Sequence, residues 1–442
     1  MRFKNISFLF FIYFFTLSGI AQGQFQIMDA KKESITIPFS LINNMMVISA
    51  EVNGKELSFL LDTGLEKTIL FNLKFSDSLI LHDVEKLQLR GLGVGKPINA
   101  LKSKNNVFKI KGIINPNHLL YIIIDDMFDL SAKMGVDING IVGGDLLKDF
   151  IVKINYANKR ITFYNPETYV YNKCNKCEVF PLDFYNKKPF INVNVENYLG
   201  DVVKVKLLID SGGGDALWLF EHSHPKIIVS ENYFKDYLGK GLNGNIYGKR
   251  SKIDKLIIGG FIFENASVSY PDSTSIVAVH KNKDRNGTLG AGILKRFHVI
   301  LDYPNRKITL KKNSRFFKEP FLYNKSGIEL VYGGERLVKE KRARFPDSGQ
   351  NNNNSITQII YSYALAYKPS YQISFIRDGS PAKIAGLLVG DIILEINRKL
   401  AYNIEMQEIT QMLSQKEDKK IKLLIDRDGK HLNYQFNLKS ML

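Results

Sequence analysis

The 442-residue sequence predicts a mainly β protein: two pseudo-symmetric β lobes followed by a small α/β domain. Three observations predict it. Short alternating runs of Val, Ile, Phe and Tyr, broken by Gly and Asn, fill most of the chain, which is the pattern of half-buried strands. A long segment occurs twice, SFLLDTG ending at Gly64 and KLLIDSG ending at Gly212, with Asp62 and Asp210 148 residues apart. Beyond about residue 312 the repeat stops, and a strand, a short helix and a second strand of different character follow.

The elements can be justified in chain order. Residues 1–23 place Arg2 and Lys4 ahead of an uncharged apolar run from Ile6 to Ile20, then the small residues Ala21 and Gly23, which reads as a cleaved signal peptide. The run is shorter than the ~20 residues a spanning helix needs, so no membrane span is expected in the mature chain. Export places the protein in a periplasmic or extracellular compartment. The first lobe is expected over 34–165 and the second over 180–313. INGIVGGDLLKDFIVKINYANKRITFY, Ile138 to Tyr164, matches NGTLGAGILKRFHVILDYPNRKITL, Asn286 to Leu310; Gly143 pairs with Gly290, Phe150 with Phe297, Tyr156 with Tyr303 and Ile161 with Ile308, each 147 apart. Short helices are expected at Gly144–Phe150 and Ala291–Phe297. Glycine-rich stretches from Gly91 and Gly241 read as hairpin tips. The connector near Asn165–Pro181 holds the only cysteines, Cys174 and Cys177, which are expected to be incidental or locally bridged. The last domain is expected over 321–442, with a flexible polar insertion at 335–355.

The net charge of +17 is spread along the chain, as expected for a solvated surface, and points to no nucleic-acid partner. His222 and His224 lack a third ligand at metal spacing, so no metal site and no cofactor are expected. Asp145, Asp149 and Asp302 read as caps and ion pairs, and Trp218 as a core residue.

The paired aspartates carry the chemistry. Each ends an apolar strand, where a carboxylate is costly unless paired or hydrogen-bonded, and the glycine two residues on permits a tight turn. Two carboxylates brought together share one proton, so one serves as a base and the other as an acid. The base activates a water against an amide carbonyl while the acid stabilises the developing oxyanion.

LLDTG and LIDSG, followed about eighty residues later by IVG at Ile141–Gly143 and TLG at Thr288–Gly290, resemble the pepsin and retropepsin class of aspartic peptidases over roughly Ser34 to Lys312. The resemblance implies that Asp62 and Asp210 form the catalytic dyad, that Thr63 and Ser211 brace it, and that Gly64 and Gly212 shape its turns. Gly91, Leu92, Gly93, Val94 and Gly95 would be the flap over a peptide or protein substrate. The sequence departs from the family at Leu65 and Gly213, where a small hydroxylated residue or alanine is usual, and at Thr288, where an aliphatic residue is usual. No residue matches the pepsin flap tyrosine. In the tail, IRDGSPAKIAGLLVGDIILEINRK resembles the bacterial PDZ domain across Gly379–Asn397. That resemblance implies recognition of a peptide or its C-terminus, with Ser326, Gly327, Ile328 and Leu330 as the candidate loop and strand. The expected function is an aspartic endopeptidase with a PDZ domain; the alternative is an inactive peptide-binding or regulatory protein of the same fold.

Overall fold

A computed structural model describes residues 23–73, 79–124, 129–277, 284–344 and 360–442. The expected signal peptide therefore lies outside the described residues except for Gly23. No helix among the described residues is long and apolar enough to cross a membrane.

Each lobe is a sheet closed on itself. In the first, the strands Met45–Val52, Lys55–Leu61, Gly140–Val142, Thr68–Leu70, Ile113–Ile123 and Ile98–Ile110 follow one another around a ring that closes where Glu51 and Val52 pair with Lys109 and Phe108. In the second, Lys188–Glu196, Val202–Asp210, Gly287–Gly290, Leu217–Leu219, Phe261–Pro271 and Gly244–Ile258 take the equivalent places in the same circular order. Closure removes the exposed sheet edges that an open sheet of these lengths would leave. Alternation along the strands supplies the core: in Met45–Val52, Met46, Ile48, Ala50 and Val52 are all buried.

The lobes are joined by a six-stranded antiparallel sheet in the order Cys177–Pro181, Lys307–Lys312, Phe297–Asp302, Ile151–Asn155, Arg160–Tyr164, Ser34–Pro38. At its centre Lys153 pairs with Ile300, its own equivalent in the repeat, so the pseudo-twofold axis passes between these two strands. One continuous core of buried residues runs through both lobes and this sheet. The helices expected at Gly144–Phe150 and Ala291–Phe297 are shorter than expected, Gly144–Leu147 and Ala291–Leu294. The chain turns after them so that Phe150 and Phe297, both buried, point into the core. Cys174 and Cys177 form a disulfide.

The tail is a separate sheet with its own core, ordered Ile328–Arg344, Ile360–Ile376, Ile392–Ile396, Lys420–Arg427, Lys430–Asn437. The helix Pro381–Ile384 starts on Ser380, whose hydroxyl accepts from the Lys383 N–H at 3.3 Å, and ends before Gly386 at φ 90°. One expectation is corrected here. Residues 335–344 are not flexible insertion but the outer half of a strand paired with residues 360–369. Their polarity reflects solvent on the faces of a two-stranded ribbon, not absence of structure. Residues 345–355 lie outside the described residues.

Candidate active site

Asp62 follows the strand Lys55–Leu61, and its N–H donates to the Val142 carbonyl at 2.9 Å, on the parallel strand Gly140–Val142. Asp210 ends the strand Val202–Asp210 and pairs in parallel with Gly290. Close packing demands the glycine of each apolar-apolar-Gly element. A Cβ on Gly143 would lie 2.2 Å from the Leu65 carbonyl oxygen, and one on Gly290 would lie 2.1 Å from that of Asp215.

Between these strand ends the two lobes hold each other. The Thr63 hydroxyl donates to the Ile209 carbonyl at 2.7 Å and accepts from the Ser211 N–H at 3.0 Å. Reciprocally, the Ser211 hydroxyl donates to the Leu61 carbonyl at 2.8 Å and accepts from the Thr63 N–H at 3.1 Å. Thr63 and Ser211 are 1% and 0% exposed, so water cannot replace any of these four bonds. The latch sets the carboxylates against each other's turns, Asp62 beside Gly212 and Asp210 beside Gly64. Each is also oriented by its own turn: Gly64 N–H donates to Asp62 Oδ1 at 2.6 Å and Gly212 N–H to Asp210 Oδ1 at 2.9 Å. The glycines cross over as well. A Cβ on Gly64 would sit 2.8 Å from Asp210 Cγ, and one on Gly212 2.4 Å from Asp62 Cγ.

Burial, reinforced by the Asp210 charge, holds the Asp62 carboxyl well above the usual carboxylate range; the Gly64 N–H and the Lys188 ammonium oppose this. Such a pair shares a proton and titrates as a unit. Arg285, near Asp210, is lowered by burial to about 10, with the Asp210 charge opposing. Its guanidinium donates to the Thr288 hydroxyl at 2.6 Å and to the Gly287 carbonyl at 3.0 Å, which accounts for a hydroxyl where an aliphatic residue was expected. Leu65 and Gly213 supply no side-chain donor to the dyad.

The glycine-rich stretches are both hairpin tips, and they meet. Gly91–Gly95 lies between the paired strands Glu85–Leu89 and Ile98–Ile110, and the second tip is the turn between Phe234–Gly241 and Gly244–Ile258. Asn243 clasps the first tip. Its N–H donates to the Leu92 carbonyl at 2.8 Å, its carbonyl accepts from the Gly95 N–H at 2.6 Å, and its side chain accepts from the Gly91 N–H and donates to the Lys96 carbonyl. Gly93, at φ 112°, donates to the Ser275 carbonyl at 2.9 Å, while Val94 is exposed.

Other residues also find their places. Asp145 pairs with Lys187 at 2.9 Å, Asp149 accepts the Phe25 N–H at 2.9 Å, and Asp302 accepts from Asn305 and the Tyr171 hydroxyl. His222 and His224 line a surface hollow on the second lobe with Glu221, Tyr233 and Lys249, and no metal-binding group of three occurs among the described residues. Trp218 is corrected from core residue to half-buried donor: its indole N–H reaches Asp215 Oδ2 at 2.7 Å.

Asp215 leads to residues that sequence reasoning missed. It sits in the turn after Asp210 and also accepts from Ser269 and from Arg250 Nη1 at 3.0 Å. Arg250 Nε donates to Asp236 Oδ2 at 2.8 Å, and Asp236 is gripped by both Nε and Nη2 of Arg377, each at 3.0 Å, from the tail domain. An ion chain thus runs from the tail to the turn that follows the second aspartate. No local signal marks it, because Asp236 and Arg377 are 141 residues apart.

In the tail, the N–H groups of Ser326 and Gly327 donate to Asn324 Oδ1 at 3.0 and 3.2 Å, and the Ile328 N–H to the Ser326 hydroxyl at 3.1 Å. Ile328 and Leu330 are buried in the tail core. The candidate carboxylate loop therefore bonds within itself, and the first-lobe helix Leu130–Met134 packs against the strand that follows it.

Residues 48–146 match the family described as aspartyl protease, and residues 372–427 match the family described as PDZ domain. Among solved structures the chain is similar to the aspartic proteinase from Irpex lacteus, at 15% identity and a TM-score of 0.42, covering 65% of this chain and 99% of that one. A comparison with curated proteins finds no match. The first aspartate lies inside one matched segment, and the tail strands Ile392–Ile396 and Lys420–Arg427 lie inside the other, so the chain contains an aspartyl protease segment and a PDZ domain.

Proposed function

We propose that the protein is an exported endopeptidase that hydrolyses peptide bonds with Asp62 and Asp210. The observation that carries this reading is the facing pair of carboxylates, each packed against the other's glycine turn and held by the Thr63–Ser211 latch. One carboxylate of the pair carries the shared proton and donates it toward the scissile carbonyl oxygen. The other takes a proton from the attacking water, and the tetrahedral intermediate then collapses with proton transfer to the leaving amine. The joined tips at Gly91–Gly95 and Asn243 would part to admit substrate and then exclude bulk water. The Cys174–Cys177 bridge supports an oxidising compartment and hence the signal-peptide reading.

A peptide adding as a strand to the PDZ domain beside Ile328–Tyr332 would compete with the helix Leu130–Met134, so peptide recognition there would loosen the tail from the first lobe. The second reading, a peptide-binding protein without turnover, is favoured only by the missing hydroxyls at Leu65 and Gly213.

The test is cleavage of a mixed peptide library between about pH 3 and 8, a window around ordinary carboxylate values, by the unaltered protein and by Asp62→Asn and Asp210→Asn. Loss of cleavage in either variant, with an alkaline limb above the ordinary carboxylate range, is the expected result. Binding without cleavage by the unaltered protein would establish the second reading.

A further inference from the structure

Beyond Tyr332 and Tyr371 the strands Ile328–Arg344 and Ile360–Ile376 leave the tail sheet and pair only with each other. At roughly 3.3 Å per residue, this ribbon projects on the order of 30 Å. An isolated two-stranded ribbon is at best marginally stable in water, so its surface chemistry calls for explanation. Strand alternation puts Tyr361, Tyr363, Leu365 and Tyr367 on one face, and the register places Leu337, Lys339 and Lys341 beside them. Leu337 and Tyr361 are each 52% exposed, Tyr363 60%, Tyr367 68% and Leu365 69%. Few proteins leave such a contiguous apolar row without a binding role.

The charges on the two faces differ in kind. On the opposite face Lys368 pairs with Glu340 at 2.8 Å and Arg336 with Asp426 at 3.2 Å. On the tyrosine face, Lys339 Nζ lies 4.0 Å over the Tyr363 ring and Lys341 Nζ 3.6 Å over the Tyr361 ring, and neither lysine has a carboxylate partner among the described residues. That face therefore presents apolar side chains, phenol hydroxyls and two ammonium groups within a few ångströms of one another, with the carboxylate of Glu335 only at its base.

We propose that this ribbon face docks the peptidase on an anionic phospholipid surface. Tyrosine and lysine side by side fit the boundary where acyl chains meet phosphates: the rings and leucines enter the apolar margin while the ammonium groups meet headgroups. Competing occupants fit less well. The lysines already cover faces of Tyr361 and Tyr363 on which a nucleic-acid base would stack. A second copy seated face to face would oppose lysine with lysine.

The test is co-sedimentation of residues 24–442, which carry every described element, with vesicles of phosphatidylcholine alone or with about one third phosphatidylglycerol. The proteins compared are the unaltered chain, Tyr363→Ser/Leu365→Ser/Tyr367→Ser, and Lys339→Gln/Lys341→Gln. Circular dichroism and cleavage of a soluble peptide confirm that each variant is folded. The unaltered chain is expected to bind only the anionic vesicles and to be released by salt. The serine variant should lose binding, and the glutamine variant should bind about 30-fold more weakly, taking each lysine at about 1 kcal/mol on such a surface. Failure of the unaltered chain to sediment with anionic vesicles overturns the proposal, as does equal binding by all three proteins. So does a serine variant whose only change is in self-association or in binding a single-stranded oligonucleotide.

Discussion

Replacing Arg377 with leucine should weaken both the docking of the PDZ domain and catalysis at a site in another domain. The Arg377 and Asp236 side chains are 2% and 3% exposed, and their contact is a two-pronged ion pair. Arg377 also donates to the Asn324 carbonyl at 3.1 Å and stacks 4.1 Å from the Phe234 ring centre. Breaking a buried pair by removing one partner costs roughly 3–5 kcal/mol. Because Asp236 keeps Arg250, the lower end applies, about 3 kcal/mol. This is a large part of the ~5–15 kcal/mol that holds a typical protein folded. The chain continues through Arg250 to Asp215, so the turn that follows Asp210 should lose definition, lowering kcat with little change in KM. Urea unfolding of the wild type, Arg377→Leu, Asp236→Asn and the double variant measures the coupling, and peptide turnover measures the consequence. Arg427→Leu is the control, since Arg427 pairs with Asp391 at 2.6 Å entirely within the tail. A coupling below about 0.5 kcal/mol, or the same fall in kcat for Arg427→Leu, would refute the reasoning.

The remaining predictions concern the latch, the crossed glycines and the domain seam. Gly212→Ala should abolish detectable turnover, at least about a 100-fold loss from displacing a reacting group, because the new methyl would lie 2.4 Å from Asp62 Cγ; near-normal kcat would contradict the crossed packing. Thr63→Val strands the Ser211 N–H and the Ile209 carbonyl and should destabilise by about 2–3 kcal/mol, whereas Thr63→Ser should recover most of this in the same thermal melt. Glu329, at the seam between the PDZ domain and the lobes, is pushed up to about 7 by burial and by Asp236, against the opposing charges of Lys133, Arg250 and Arg377. Its folded form holds the proton more tightly than the unfolded form, so its contribution is complete below about pH 4.5 and is lost as pH rises toward 7. A Glu329→Gln variant should flatten this decline, and melts at pH 5 and 7 that fall equally in both proteins would rule it out.

Much of the framework of the candidate site was legible in the residues. Each D-[ST]-G triplet ends an apolar strand, and the near-constant offset of the later landmarks carried the duplication that the two closed sheets display. The PDZ-like pattern across Gly379–Asn397 coincides with the helix Pro381–Ile384 and the strand Ile392–Ile396. What escaped notice was polarity used for structure: residues 335–344 look like solvent-loving linker because both faces of a ribbon are wet, and Trp218 looks like core because its hydrogen-bond partner is set by folding.

The sequence by itself determined the two lobes, the aspartates and the need for glycine beside them, since these follow from strand periodicity and from backbone turns a few residues long. Only the tertiary structure decided how the lobes grip each other through Thr63 and Ser211, that Asn243 clasps the opposite glycine tip, and that Arg377 of the tail reaches Asp236. Those contacts join residues roughly 140–150 positions apart. Their partners are selected by distance and burial in the folded chain, and local sequence carries no record of either.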